Sequence, residues 1–121
     1  MVKILEPKTE SMAKTYKILQ KLNIKSSLKG CDYLLYAIAT LYEAENTQFK
    51  GKIRPVIYNI IAQKFNTTIS RIDRNLRTII SSIYTSAPKD LLRDIIGETT
   101  KIIPTQFISS AVMYMRYCCQ D

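Results

Sequence analysis

Residues 61–77 read IAQKFNTTISRIDRNLR, and the pattern of these residues is the strongest indication of the fold. This stretch contains the end of one segment with apolar residues at helical spacing, residues 53–65, and the start of a second one, residues 68–85. Only two residues separate these segments. The first of the two, Asn66, can adopt the left-handed turn conformation at modest cost, and Thr68 is a suitable N-cap for the helix that follows. Two helices joined by so short a turn in a basic chain predict a helix-turn-helix.

The fourth predicted helix, residues 68–85, has two chemically different faces. At about 100° per residue, one arc is entirely aliphatic, while the opposite arc holds Arg71, Arg74 and Arg77 with Asp73 at its edge. An ordinary solvated face mixes acids with bases, whereas three arginines at i, i+3 and i+6 repel one another mildly. Arginine forks can bind guanine N7 and O6, so this face predicts contact with DNA. The aliphatic arc consists of Ile69, Ile72, Leu76, Ile79, Ile80 and Ile83.

The rest of the chain extends this pattern into one helical domain. Its 121 residues suit a single domain, apolar spacings of three and four recur between sparse Gly and Pro residues, and no alternating run predicts a strand. We therefore predict an all-α fold, a single six-helix domain whose third and fourth helices form the helix-turn-helix. We expect residues 1–9 to be an N-terminal tail and residues 10–121 to be the DNA-binding effector domain. The predicted helices are residues 9–22, 28–45, 53–65 and 68–85, a short helix between Pro88 and Gly97, and a last helix that starts near Pro104.

Positive charge is concentrated around the predicted helix-turn-helix. The formal net charge of the chain is +8, and residues 50–89 carry eight basic residues against Asp73 alone, a net charge of +7. A focused basic surface attracts polyanions and speeds their capture. The charge therefore favours a nucleic-acid partner, the other interpretation being a basic protein that is merely kept soluble by its charge.

The composition excludes several function classes. The chain has no His, which removes imidazole-based catalysis, Ser/His triads and His-containing metal sites. Cys31, Cys118 and Cys119 form no CxxC pair, so zinc ribbons and thioredoxin-like motifs are excluded. We expect no enzymatic activity, no metal and no cofactor. No apolar run approaches the about 18 residues of a membrane helix, and we expect a cytoplasmic protein with no membrane partner and no signal peptide.

Residues 61–77 resemble the helix-turn-helix of the stage-zero sporulation master response regulator family of endospore-forming Firmicutes. The run of residues 64–77 is the most specific part of this resemblance. Residues 28–38, LKGCDYLLYAI, resemble the start of the second helix of the family's effector domain, and residues 104–108 resemble the start of its last helix. The resemblance covers about residues 10–117, nearly the whole chain.

The resemblance implies a six-helix DNA-binding domain whose fourth helix lies in the major groove of a short site with a TGTCGA-like core. Arg71 and Arg74 match arginines implicated in base contact, Arg77 matches a further arginine at the DNA surface, and Asp73 stands where the family usually has Glu. We therefore predict these four residues as base contacts. The predicted contacts to phosphates or the groove edge are Lys64, Asn66, Thr67, Thr68, Ser70, Asn75 and Thr78.

The resemblance also bears on partners and regulation. Family members usually carry a receiver domain with a phosphorylatable Asp, but only about nine residues precede the first predicted helix here. We therefore expect either an excised effector domain or a stand-alone paralogue without phospho-control. In the family the fifth helix lies near the sigma subunit of RNA polymerase, which makes that subunit a candidate partner. The last helix has a second apolar side, which is either a homodimer surface or a face packed between neighbouring helices: Met113, Tyr114 and Tyr117.

Most of the tyrosines are predicted to pack in the hydrophobic core. Five of them occur at core-like spacings, and we expect these to pack inside rather than to stack on bases. They are Tyr16, Tyr33, Tyr36, Tyr42 and Tyr84.

Three functions are compatible with these residues. The first is a sequence-specific, double-stranded DNA-binding transcription regulator. The second is a protein-interaction module or decoy that antagonises a full-length regulator, with the basic face serving only nonspecific attraction. The third is a nonspecific binder of nucleic acid or anionic membranes. Binding to a specific duplex and to a scrambled duplex distinguishes them.

Overall fold

A computed structural model of the chain describes residues 7–44 and 52–118. Within these ranges all regular structure is helical and no strand occurs, which confirms the predicted all-α fold with six α-helices. The predicted end of the second helix at Glu45, like Cys119, lies outside the described residues. None of the helices in these ranges has the length and hydropathy needed to cross a membrane. The helices are α1 Thr9–Lys21, α2 Lys29–Glu43, α3 Tyr58–Phe65, α4 Ile69–Ser86, α5 Lys89–Ile96 and α6 Pro104–Tyr117.

One turn of π-helix, Ile53–Ile57, precedes α3 and replaces the first turn of the predicted third helix. The N–H of Tyr58 donates to the carbonyl of Ile53, five residues earlier. Pro55 fits here because the first turn of a helix has N–H groups without intrahelical partners in any case. The turn buries Ile57 completely and leaves Arg54 exposed beside α4.

The central helix of the core is α2, which packs against α1, α4 and α6. At Gly30 the backbone of α2 comes so close to α4 that a Cβ would lie 2.4 Å from the Asn75 carbonyl oxygen and 2.9 Å from Cβ of Ile79. Only glycine leaves room for this approach. The contact therefore fixes the position of α4, the helix that carries the predicted DNA-binding face.

Two further contacts hold the helices on α2. The ring of Phe65, at the end of α3, packs edge-on against Tyr33 at 5.2 Å and Tyr36 at 5.6 Å between ring centroids. On α6, Nη2 of Arg116 donates to the carbonyl oxygens of Leu41 at 3.3 Å and Ala44 at 2.7 Å. These carbonyls belong to the C-terminal end of α2, where a cation is favourable because of the helix dipole.

The prediction that Tyr16 packs in the core is wrong, since this side chain is 38% exposed. The reason is that α1 is turned so that two small polar residues, Ser11 and Thr15, are buried. The hydroxyl of Thr15 donates to the Ser11 carbonyl at 2.8 Å, so its burial leaves this donor satisfied. The prediction is confirmed for the buried Tyr33 and Tyr36, whereas Tyr42 and Tyr84 are half-buried.

Candidate nucleic-acid interface

The turn between α3 and α4 has the geometry that its sequence predicts. Asn66 adopts the left-handed conformation, with φ 51° and ψ 56°. The N–H of Thr67 donates to the carbonyl of Ala62 at 3.0 Å, which closes the end of α3. Thr68 is the N-cap of α4, and its hydroxyl oxygen accepts a hydrogen bond from the N–H of Arg71 at 3.2 Å. These contacts set the angle at which α4 leaves the turn.

The inner side of α4 is anchored in the core. Five of its six predicted aliphatic residues have no exposed surface, and the sixth, Ile69, is half-buried. Burial of such a side chain contributes about 1.5–3 kcal/mol each, so this face holds the helix firmly against α2. The buried five are Ile72, Leu76, Ile79, Ile80 and Ile83.

The outer side of α4 presents Arg71 and Arg74 to solvent. No carboxylate or other side chain within residues 7–44 and 52–118 pairs with the guanidinium of either residue. A guanidinium that is exposed and not held by a carboxylate keeps its five N–H donors available to an external acceptor. The two groups are therefore free to bind an anion or a base edge.

Arg77, the third arginine of this face, forms hydrogen bonds with other residues of the protein. Its Nε donates to Oδ2 of Asp73 at 2.9 Å, and its Nη1 donates to the carbonyl of Ile102 at 3.2 Å. The other carboxylate oxygen of Asp73, Oδ1, accepts from Nη1 of Arg54 at 3.1 Å. Asp73 thus joins Arg77 to Arg54 instead of standing alone at the edge of the arginine face.

The charges of this network act on a buried tyrosine. The guanidinium of Arg54 lies over the ring of Tyr58, with Cζ 5.4 Å from the ring centroid. Burial, with a smaller contribution from the charge of Asp73, raises the pKa of Tyr58 to about 12, against an opposing effect of Arg54 and Arg77. The hydrogen bond and charge of Asp73 raise the pKa of Arg77, so this guanidinium stays charged.

The remaining predicted contact residues lie around these arginines. Lys64, Asn66 and Ser70 are exposed, and Thr67 is half-buried in the turn. The amide of Asn75 donates to the carbonyl of Arg71 at 2.8 Å, and the hydroxyl of Thr78 donates to the carbonyl of Arg74 at 3.1 Å. Asn75 and Thr78 therefore use one donor within α4 and keep acceptor oxygens for other partners.

Sequence reasoning missed Arg54 as a member of this site. In the sequence, Arg54 contributes only to the net charge of residues 50–89. Because 19 residues separate it from Asp73 along the chain, the pattern did not indicate a contact between the two. One sequence feature could have indicated this contact: Asp73 is the only acidic residue among the arginines of α4. It was therefore the expected ion-pair partner for a basic residue of a neighbouring segment such as Arg54.

The chain also matches a known protein family. A family model described as sporulation initiation factor Spo0A C terminal matches residues 15–116. The chain belongs to this family. The match contains the turn, both of its helices and all of the predicted contact residues. The Spo0A C-terminal family is a family of DNA-binding domains of sporulation transcription regulators and not an enzyme family, which confirms the resemblance inferred from residues 61–77.

Within the described part of the chain, no three His, Cys, Asp or Glu side chains come together as a metal-binding group. Instead, Asp90 of α5 and Glu98, just beyond the end of this helix, flank an arginine: Nη1 of Arg93 lies 3.6 Å from Oδ1 of Asp90, and its Nε lies 3.8 Å from Oε1 of Glu98. The chemistry that the site offers is thus recognition of anions and base edges by guanidinium groups.

Proposed function

We propose that the chain is a sequence-specific regulator of transcription that binds double-stranded DNA with α4 in the major groove. The observation that carries this proposal is the pair of exposed arginines, Arg71 and Arg74, on a helix whose opposite side is anchored in the core. A rigid helix with free guanidinium groups at its outer ridge can present them bidentately to guanine. We assign the first base contacts to these two residues, because Arg77 and Asp73 are engaged with each other.

The contacts to the DNA backbone are proposed for residues at both ends of this ridge. Lys64, Asn66 and Ser70 are exposed near the N-terminus of α4, where phosphate contacts commonly fix the register of a recognition helix. Thr67, Thr68, Asn75 and Thr78 complete the proposed set. Residues 10–121 would act as one effector domain, in the cytoplasm where the chromosome lies.

Two protein contacts belong to the same proposal. On α6, Met113 is 53% exposed and Tyr117 is 70% exposed, which supports the homodimer surface for these two residues, whereas Tyr114 is half-buried and packs against the core. The exposed acidic edge of α5, with Asp90 and Asp94, supports a contact with the sigma subunit of RNA polymerase. The other proposed function, a decoy that antagonises a full-length regulator, would use these surfaces without reading DNA sequence.

A selection of bound sequences from random duplexes at fixed salt tests the DNA-binding function. We expect an enriched motif that binds orders of magnitude more tightly than scrambled DNA, as specific sites generally do. Binding without an enriched motif would indicate a nonspecific nucleic-acid binder. Absence of binding even at low salt would leave the interaction module, since phosphate contacts strengthen as salt falls.

A further inference from the structure

The contact between Arg54 and Asp73 places a second arginine at the flank of α4. Arg54 comes from the π-helical turn before α3, and its guanidinium is fixed twice, by Oδ1 of Asp73 at 3.1 Å and by the ring of Tyr58. Arg77 is fixed on the other oxygen of the same carboxylate and on the carbonyl of Ile102. The two guanidinium groups are therefore held side by side by groups from α3, from α4 and from the segment before α6.

Both guanidinium groups keep donors that face solvent. The described contacts use one N–H of Arg54 and two of Arg77, and each guanidinium has five. Their side chains are 53% and 55% exposed, whereas that of Asp73 is only 20% exposed. An incoming ligand thus meets the two cations before it meets the carboxylate that joins them.

The charge of this cluster fits an anion. Two guanidinium groups and one carboxylate leave a net charge of +1, and the carboxylate is the group farthest from solvent. In a helix-turn-helix the first helix crosses the DNA backbone while the second enters the groove. Arg54 precedes the first of these helices, so by this general geometry a contact with the DNA backbone fits its position better than a contact with base edges.

We propose that Arg54 and Arg77, held together by Asp73, form a phosphate-binding pair that contacts the DNA backbone beside the groove occupied by α4. Asp73 is a positioning residue in this pair: it orders two flexible side chains before DNA arrives, which removes part of the entropy cost of binding. The proposal rests on the DNA-binding function proposed above and adds to it a contact from outside the helix-turn-helix sequence.

The test measures the affinity of the chain for the selected duplex and for a scrambled duplex over a range of salt concentrations. We expect Arg54→Gln to weaken both affinities by about 3- to 10-fold and to reduce the slope of log affinity against log salt by about one, as the loss of one phosphate contact does. Arg54→Lys keeps the charge and should retain most of the affinity. The matched control is Arg93→Gln on α5, since Arg93 is 56% exposed and also lies beside carboxylates; we expect it to leave both quantities unchanged.

The part assigned to Asp73 is tested in a double-mutant cycle. If Asp73 positions Arg54, then Arg54→Gln costs less affinity in an Asp73→Asn background than in the wild type. Equal losses in the two backgrounds would contradict this part, and an Arg54→Gln variant that behaves like Arg93→Gln would overturn the phosphate pair. Thermal melting of each variant shows that it is folded. A wild-type chain that binds neither duplex would overturn the DNA-binding function itself, so the two failures are distinguishable.

Discussion

The arginines of the predicted DNA-binding face differ in what holds them. Arg71 and Arg74 extend into solvent from α4, whereas Arg77 is fixed by Asp73 and by the Ile102 carbonyl. Fixing a mobile arginine side chain on binding costs about 0.5–1.5 kcal/mol of free energy. The side chain of Arg77 is already fixed in the folded protein, so DNA binding does not incur this cost for Arg77. The free pair can therefore adjust to base edges, while the fixed arginine suits a contact whose position does not depend on sequence.

Tyr58 gives a prediction at the scale of one hydroxyl group. The side chain is fully buried, and its oxygen has no hydrogen-bond partner in the described residues. A buried polar group without a partner is destabilising. We therefore expect Tyr58→Phe to leave the free energy of unfolding at pH 7 unchanged or to raise it by up to about 1 kcal/mol, measured by urea denaturation.

The same variant has a predictable pH dependence. The pKa of Tyr58 is about 12 in the folded protein and 10.0 ordinarily, because burial disfavours the phenolate. The phenol therefore loses its proton more readily in the unfolded chain, so the free energy of unfolding falls as the pH rises from about 10 through 12, and below pH 10 this group adds no pH dependence. We expect the wild type to lose more stability than Tyr58→Phe over this window. Equal losses would contradict the burial of this group.

Tyr84→Phe is the matched control for Tyr58→Phe. The hydroxyl of Tyr84 donates to the carbonyl of Lys101 at 2.9 Å, so its removal breaks a hydrogen bond that Tyr58 does not have. We expect Tyr84→Phe to lower the free energy of unfolding at pH 7 by about 0.5–1.5 kcal/mol. The opposite signs at the two positions separate the loss of a bonded hydroxyl from the loss of an orphaned one.

At the scale of the element, the start of α4 depends on its N-cap. The hydroxyl of Thr68 satisfies the N–H of Arg71, one of the orphan donors in the first turn. Thr68→Ala should lower the free energy of unfolding by about 1 kcal/mol, and Thr68→Ser should stay near the wild type because serine keeps the hydroxyl oxygen. Chemical denaturation measures both. Equal losses for the two variants would indicate that the methyl group and not the cap matters.

The crossing of α2 and α4 gives a second prediction for the elements. A methyl group at Gly30 would lie 2.4 Å from the Asn75 carbonyl, a backbone atom that cannot rotate away. We expect Gly30→Ala to destabilise the fold by about 1–3 kcal/mol through overpacking. Lys29→Ala, at the exposed neighbouring position, is the control and should change stability by no more than about 0.5 kcal/mol. A stable Gly30→Ala variant would contradict the close approach of the two helices.

The sequence predicted these elements well because Gly and Pro mark their ends. The helix after Pro88 ends at Ile96, directly before Gly97 with φ 75°, and the last helix begins at Pro104. Pro55 marks the first turn of the third helix but does not distinguish a π-helical turn from an α-helical one, since Ile53–Ile57 has the same apolar spacing as an ordinary helical turn. The rotation of α1 that exposes Tyr16 and buries Ser11 and Thr15 depends on packing between helices, which helical periodicity does not contain.

At the scale of the whole molecule, predictability of the site depends on distance along the chain. The face with Arg71 and Arg74 lies on one helix, so its geometry followed from the period of 3.6 residues. Asp73 also binds Arg54, and Arg77 also binds the carbonyl of Ile102. Arg54 lies in the turn before α3 and Ile102 in the segment before α6, and only the packing of these two segments brings them to α4. Contacts between residues so far apart in sequence can be identified only from the folded structure.

At this scale, we propose that the basic six-helix domain holds α4 against DNA and reads bases with Arg71 and Arg74. The charge of +8 attracts any duplex, so affinity alone cannot test this account. Lys64→Ala, the control for a backbone contact, should weaken the selected and scrambled duplexes alike.

The most direct measurement is the ratio of the dissociation constants for scrambled and selected duplexes, at one salt concentration, in the wild type and in Arg74→Ala. We predict that Arg74→Ala loses about 1–3 kcal/mol of binding free energy on the selected duplex, loses less on the scrambled one, and relaxes the preference at one base pair. An equal loss on both duplexes, with the ratio unchanged, would contradict sequence reading by α4.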